Sequence, residues 1–470
     1  MAQYSINMEQ IKRLESGDLS EAEFRREALN LIETEYGIII ALANKVQELE
    51  DEINRLKGEK GKPEFKKGKA KMDTETTQDD ELKKPKQKVN WKKGTKKDKI
   101  KIDRVETVCL DKDGLPDDIV FKGYEEKIIQ NIIVETDNVL YRMEKYYSPS
   151  TRTTYRAQLD ESLQDTSFGA ETKALISTLY YENRVTENKI ASFMNSNGLY
   201  ISEGTISNIL IKEQSERLTE IKNEIFEAGL SSSIYQQIDD TGMKIANKNG
   251  YATIICNERY SVFFINYSKS RETIRSFLTA VLLSLFIVLV CDDAPQFKEL
   301  ARRLALCWVH EERLYKKLTP ILECHKEELR HVRGEIWEYY KRLLEYKKNP
   351  AESEKDKLSN EFDILFGQKT EYDDLNNRLT LTLAKKSELL TVLDFPEIPL
   401  HNNLSENGIR EMVLKRKISG GVETTEGVKA WENNMSILAT CKKLGVSFYR
   451  FMLGVFSKNI TIDLPKLINS

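Results

Sequence analysis

Tyr235 to Ile245 reads YQQIDDTGMKI. Polar and apolar residues alternate through it, the period of a strand with two different faces, and two carboxylates stand midway along it. Downstream, GYATIIC (250–256) is β-branched and aromatic, Asn257-Glu258-Arg259 is a turn, and YSVFFINYS (260–268) alternates again. The spacing predicts a three-stranded meander. KSRETIRSFLTAVL (269–282) then reads as a helix, and LFIVLVCDD (285–293) as a fully buried strand ending in two more carboxylates.

Three antiparallel strands, a helix and a fourth strand ending in Asp form the layout of a ribonuclease-H-like fold. In that layout the first Asp lies mid-strand, the next at the tip of the neighbouring central strand, and a final acid on a later helix. A single Asp-Asp pair is usually a capped strand end. Two such pairs, with a candidate acid in the helical stretch HNNLSENGIREMVLKRK (401–417), point instead to divalent-metal chemistry on phosphodiesters. Such chemistry needs a few carboxylates on rigid elements, and no Ser, Cys or His nucleophile.

Composition fits a soluble chain of several domains. It has 470 residues, 31% charged, a net charge of −3 and a mean hydropathy of −0.51. The balance argues against a uniformly basic nucleic-acid coat, yet between Lys57 and Lys101 17 Lys stand against 8 acidic residues. That stretch is too poor in apolar residues to fold alone and reads as a linker whose lysines can follow a phosphate backbone. Six scattered Cys form no disulfide framework. No signal peptide is read at the N-terminus, and the apolar run 277–291 is short for a membrane span. A reducing cytoplasm is the expected compartment.

Ahead of the linker, Ile39, Leu42, Val46, Leu49, Ile53 and Leu56 repeat at coiled-coil spacing. Self-association and packing on the protein's own body are both open for this seam. Residues 101–150 mix strand-like stretches such as KIKIDRVETVCL with turns. Between Val185 and Leu210, Thr186 and Ser202 can cap two helices around an Asn197-Gly198 turn plugged by Ile201. This is helix-turn-helix spacing, with Thr205, Ser207 and Asn208 left outward for a DNA groove.

YQQIDDTGMKI, LVCDDAPQF (289–297), CWVHEERLYKKL (307–318) and HNNLSENGIREMVLKRKISGG (401–421) together resemble the insertion-sequence-66 family of bacterial DDE transposases. The resemblance runs in order from about Lys101 to Phe456. It implies metal-dependent DNA strand cleavage and strand transfer, with Asp239, Asp292 and Glu406 as catalytic acids and ligands of two Mg2+ ions, Mn2+ substituting. Asp240 and Asp293 are the fallbacks, each one residue away. Asn403, Arg410, Arg416 and Lys417 are assigned to DNA phosphates, and His310 falls in a family block as an active-site or DNA contact. Implied partners are double-stranded DNA (element ends and target), a homo-oligomer on DNA, and accessory proteins of the same element. The location it implies is bacterial and nucleoid-associated. The family's Asp-Glu-Thr is Asp-Asp-Thr here, its Glu-Arg is Glu406-Asn407, and its Cys-rich N-terminal zinc segment is not visible.

The expected architecture is mixed α+β. It comprises an N-terminal helix or coiled coil (1–57), the Lys-rich linker (58–100), a mostly helical DNA-binding region (101–230) with the helix-turn-helix at 185–210, the first part of the catalytic domain (231–310), a helical insertion (311–395), and the last catalytic helix with C-terminal helices (396–470). A catalytically inactive DNA-binding protein derived from such an enzyme is the alternative. Cys307 and His310 with Cys324 and His325 match no strong zinc pattern; Cys307 and Trp308 read as core of a fifth strand. The aromatic residues of EIWEYYKRLLEY (335–346) read as core before base-stacking groups.

Overall fold

The structure is a computed structural model describing residues 8–16, 19–56, 100–110, 122–159, 166–278 and 284–470. The expected Lys-rich linker lies almost entirely outside the described residues, as does the middle of the apolar run. Two compact units are present, one of Met1–Ile40 with Thr136–Ser470 and one of Ala41–Glu135.

In the larger unit, α1 (Met8–Glu15) precedes α2 (Glu21–Leu56), which continues into the smaller unit. Ser20 and Glu23 form a capping box at the start of α2: Ser20 N–H donates to Glu23 Oε2 at 3.0 Å. Residues 101–110 carry no regular secondary structure, so the strands expected there are absent; β1 (Lys145–Ser148) and β2 (Thr153–Arg156) form a small hairpin instead. Then come α3 (Ala170–Ser177), which runs into a π turn at Thr178–Glu182, α4 (Glu187–Ser196), α5 (Glu203–Ile211) and α6 (Ser215–Ser231).

A mixed five-stranded sheet follows. β3 (Tyr235–Ile245), β4 (Lys248–Cys256) and β5 (Ser261–Asn266) are the antiparallel meander read from the sequence. Ala246 and Asn247 turn β3 into β4 with φ of 47° and 62°, the left-handed pair of a tight hairpin whose twist matches the strands. After α7 (Arg271–Phe277), β6 (Val288–Cys291) and β7 (Arg303–Leu306) lie parallel to β3, giving the order β5-β4-β3-β6-β7. β3 is thus central and buried, which suits the continuous apolar run that makes its parallel neighbour.

The helical block after β7 consists of α8 (Trp308–Lys316), α9 (Glu323–Lys348), α10 (Glu352–Gly367), α11 (Asp373–Leu383), α12 (Lys386–Leu389) and α13 (Thr391–Asp394). Cys307 caps α8 and Trp308 is its first residue, so neither belongs to a strand. Trp308 is instead the hub of this block. Its ring packs on Tyr339, Phe362 and Phe366, and its Nε1 donates to Leu389 O at 3.0 Å. Tyr339, Tyr340 and Tyr346 are buried, as the core reading of that segment expects. The first half of α2 docks here: Asp373 N–H donates to Asn30 Oδ1 at 2.9 Å, and Leu322 N–H to Glu33 at 3.2 Å.

α14 (Asn403–Ser419) crosses β3 and β4, and α15 (Thr425–Leu444), α16 (Phe448–Phe456) and α17 (Leu464–Ile468) complete the chain. α15 closes the β5 edge. The amides of Ser261, Phe263 and Ile265 donate to Thr440 Oγ1 (3.2 Å), Ser436 Oγ (2.9 Å) and Glu432 Oε1 (2.6 Å). Two residues of strand advance about 6.6 Å and four of helix about 6 Å, so one helix face can serve every outward amide of an edge strand.

Candidate functional site

Three elements bring the predicted acids to one place. Asp239 sits in the middle of central β3. The parallel register pairs Gln237 with Val290, and continuing it by two residues sets Asp292, just past the end of β6, level with Asp239. Glu406 lies in the first turn of α14, where the preceding Ser405 hydroxyl contacts Ile238 O at 3.5 Å. α14 approaches closely because Gly408 has no side chain; a Cβ there would stand 2.3 Å from the Ile254 terminal methyl. Ile254 is Asp239's partner across β3 and β4, so both side chains rise on the face that carries α14.

Gln237, which sequence reasoning passed over, fixes this contact. It is fully buried, two residues before Asp239 and therefore on the same face. Its Oε1 accepts the Leu404 and Ser405 amides at 3.1 and 3.3 Å, and its Nε2 donates to His401 O at 3.3 Å. Asn402 holds the N-cap position by its backbone alone; its side chain makes no capping bond. An amide at a buried position of an apolar strand was the available signal, since such a group must find partners.

The electrostatics separate the paired aspartates. Burial pushes the Asp239 carboxyl up to about 7; an amide hydrogen bond from Asp240 opposes this, and the charges of Asp292, Asp240 and Glu406 add to it. Asp292 is also raised, first by burial; its Oδ1 accepts the Ala294 amide at 3.1 Å. Among the described residues neither carboxylate has a Lys or Arg partner. Asp240 by contrast faces Lys269 at 3.4 Å and Gln296 at 2.6 Å. Asp293 is held between Lys298 at 3.1 Å and Lys385 at 2.7 Å; burial pushes its carboxyl up, but these cations outweigh it and leave it low. The two fallback aspartates are thus already paired with lysines, whereas Asp239 and Asp292 are a crowded pair with no Lys or Arg in contact among the described residues.

The other predicted residues divide. His310 Nε2 lies 3.4 Å from Glu406 Oε1, and Arg313, missed in the sequence, lies 3.4 Å from the same oxygen. Asn403 starts α14 beside them, and Arg410 is exposed one turn past Glu406, touching Asn407 at 3.4 Å. Arg416 reaches Thr241 Oγ1 on β3 at 3.4 Å, and Lys417 is exposed. Lys415, next to them in the sequence, is fully buried: its Nζ donates to Tyr180 O at 2.8 Å and lies 3.1 Å from the centre of the Tyr180 ring. Gly420, with φ of 78°, ends α14.

Thr205, Ser207 and Asn208 lie far along the chain on α5. Asn195 braces the turn before it, accepting the Ile201 amide at 3.0 Å, and Ser202 caps α5 through the Thr205 amide at 3.1 Å. Asn208 is exposed as expected. Thr205 and Ser207 are half-buried, however, and the Thr205 hydroxyl, 2.9 Å from Ser202 Oγ, is partly spent on the helix start. Cys324 is exposed and His325 is buried against Tyr372, so the four-residue zinc grouping does not assemble.

The sequence pattern described as "Transposase IS66 family" matches residues 165–430, more than half of the chain, and spans both aspartate pairs and Glu406. The chain belongs to the IS66 transposase family. A protein of Sinorhizobium fredii (strain NBRC 101917 / NGR234) described as "Uncharacterized protein y4jO" is 40% identical over 165 residues, which are 35% of this chain and 51% of that protein. This IS66-family chain therefore spans about half the length of the curated relative it matches.

Proposed function

We propose that this IS66-family chain is a DDE transposase whose ribonuclease-H-like domain cleaves and joins DNA strands with two Mg2+ ions (or Mn2+) held by Asp239, Asp292 and Glu406. The observation that carries the reading is the raised, uncompensated Asp239 carboxyl, which feels both Asp292 and Glu406 from two other elements. Two aspartates so crowded, with no Lys or Arg in contact with either, fit a divalent cation. When bound, such a pair activates the attacking oxygen and neutralises the leaving one. The chain's own part is to hold three acids on two strands and one helix, so that little motion is needed to reach the reacting phosphate.

DNA would follow the cations around this point. Arg410 and Lys417 are exposed on α14, Arg416 lies at the β3 end, and Asn403 stands at the helix start, all suited to phosphate oxygens. Beside Asp240 an open depression lined by Tyr251, Tyr267, Lys269, Ser270, Arg271 and Gln296 adds aromatic and basic groups to the same side. In this reading, α4 and α5 form the helix-turn-helix, with Asn208 as its outward polar group. The exposed α2 residues Ile39, Leu42, Val46 and Leu49 supply a coiled-coil seam for a homo-oligomer on DNA.

The test is strand cleavage and strand transfer on DNA carrying the element's own ends, in Mg2+, with wild type and Glu406→Gln. Activity lost in the variant with end binding intact supports the enzyme. Tight end binding with no cleavage by the wild type would establish the alternative, a DNA-binding protein derived from a transposase.

A further inference from the structure

Two side chains next to Glu406 have no part in the acid triad. Cys307 caps α8 and His310 is the third residue of that helix, so the Cys-x-x-His spacing sets both groups on its first turn. Trp308 N–H donates to Leu400 O at 3.0 Å, tying this helix start to the segment that enters α14. As a result Cys307 Sγ, a ring nitrogen of His310 and a carboxylate oxygen of Glu406 all lie within 4.8 Å of one another. Unsatisfied polar atoms accompany them. The Asn402 side chain is 0% exposed with neither amide atom bonded, and His310 Nδ1 is buried without a partner. The backbone N–H of Asn402 also reaches the Cys307 sulfur, so this residue, whose side chain is unpartnered, adjoins the cluster.

We propose that Cys307, His310 and Glu406 bind a zinc ion, in competition with the catalytic cations for Glu406. One sulfur, one imidazole and one carboxylate, with water or Asn402 Oδ1 in fourth place, are a donor set for tetrahedral zinc. Ligand atoms around such an ion stand about 3.5 Å apart, so the cluster closes by roughly an ångström to hold it. Thiolate and imidazole select zinc over magnesium, and the Cys307 proton leaves to solvent on binding. Arg313, 3.4 Å from Glu406 and 3.2 Å from His310, is about half exposed and swings outward to admit the ion. Zinc here takes Glu406 away from Asp239 and Asp292 and lowers Mg2+-dependent cleavage, a consequence that rests on the transposase reading.

Cobalt(II), a spectroscopic stand-in for zinc, tests this on the full-length protein. The wild type should show a thiolate-to-cobalt charge-transfer band that stoichiometric zinc erases and a hundredfold excess of magnesium does not. Cys307→Ser should lose the band, and His310→Gln should weaken cobalt binding more than about tenfold. Asp239→Asn and Cys324→Ser should keep both band and affinity. His310→Gln, a change on a helix surface, carries the test should Cys307→Ser not fold by circular dichroism. No band in the wild type, a band that survives Cys307→Ser, or unchanged affinity in His310→Gln overturns the site. Failure of the transposase reading would look different: an intact cobalt band in a wild-type protein that cleaves no DNA.

Discussion

Asp239 shows what the site costs the fold. Its carboxyl is pushed up to about 7, first by burial and then by neighbouring acids, while in an unfolded chain it titrates near about 3.9. Between those values the folded protein keeps a proton that the unfolded chain has lost. Stability of the metal-free protein from this group therefore falls as pH rises from about 4 to about 7, and is level above that. Asp239→Asn removes the penalty. Calorimetry in chelator should find the variant melting close to wild type at pH 4 and several degrees higher at pH 8; a gap that does not change with pH would contradict the assignment. At this scale the sequence was informative but ambiguous. It favoured Asp239 and Asp292 but kept Asp240 and Asp293 as fallbacks, because the lysines that pair with Asp240 and Asp293 come from positions 269, 298 and 385, which no local pattern joins to them.

Among the elements, α14 depends most on a remote group. The first amides of a helix have no intrahelical acceptor, and two of these are served by Gln237 on β3. Gln237→Leu should destabilise the protein by about 1–3 kcal/mol in urea unfolding. It should lower strand cleavage further than that loss of folded protein accounts for, because Glu406 rides on the freed turn. Cleavage per folded molecule equal to wild type would show that the cap does not position Glu406. On the β5 edge, Ser436→Ala leaves the Phe263 amide without an acceptor and should cost about 1 kcal/mol by the same measurement, with cleavage unchanged. The strands of the meander were legible because alternation and β-branching speak locally. Three features were not. Cys307-Trp308 looked like strand because both are apolar, yet the chain turns there into α8. Lys415 stands in a run of cations, yet its helix face turns it onto the Tyr180 ring. Thr205 and Ser207 looked free, yet both are half-buried and the start of α5 engages the Thr205 hydroxyl.

For the whole molecule, α2 carries exposed apolar residues at coiled-coil spacing. Ile39, Leu42, Val46 and Leu49 are each 44–60% exposed, while Asn30 and Glu33 in the same helix are tied to the helical block. Packing on the protein's own body, one of the two options open in the sequence, applies to the first half of the helix. Val46→Asp with Leu49→Asp should reduce the mass found by light scattering from that of an oligomer to that of one chain, with melting temperature within a few degrees of wild type. An oligomer that survives both charges would place self-association elsewhere. No helix among the described residues is long and apolar enough to cross a membrane.

The central claim is that Asp239, Asp292 and Glu406, and not their acidic neighbours, act together on DNA. Strand cleavage by Asp239→Asn, Asp240→Asn, Asp292→Asn, Asp293→Asn and Glu406→Gln, each checked for end binding, tests it most directly. The account predicts that the first, third and fifth fall below about a thousandth of wild-type cleavage while still binding ends, a loss typical of removing a charge that stabilises the transition state. Asp240→Asn and Asp293→Asn should keep cleavage within about tenfold of wild type, a change of no more than about 1.4 kcal/mol in the barrier. Cleavage that persists in Glu406→Gln, or that vanishes in Asp240→Asn while Asp239→Asn remains active, would contradict it.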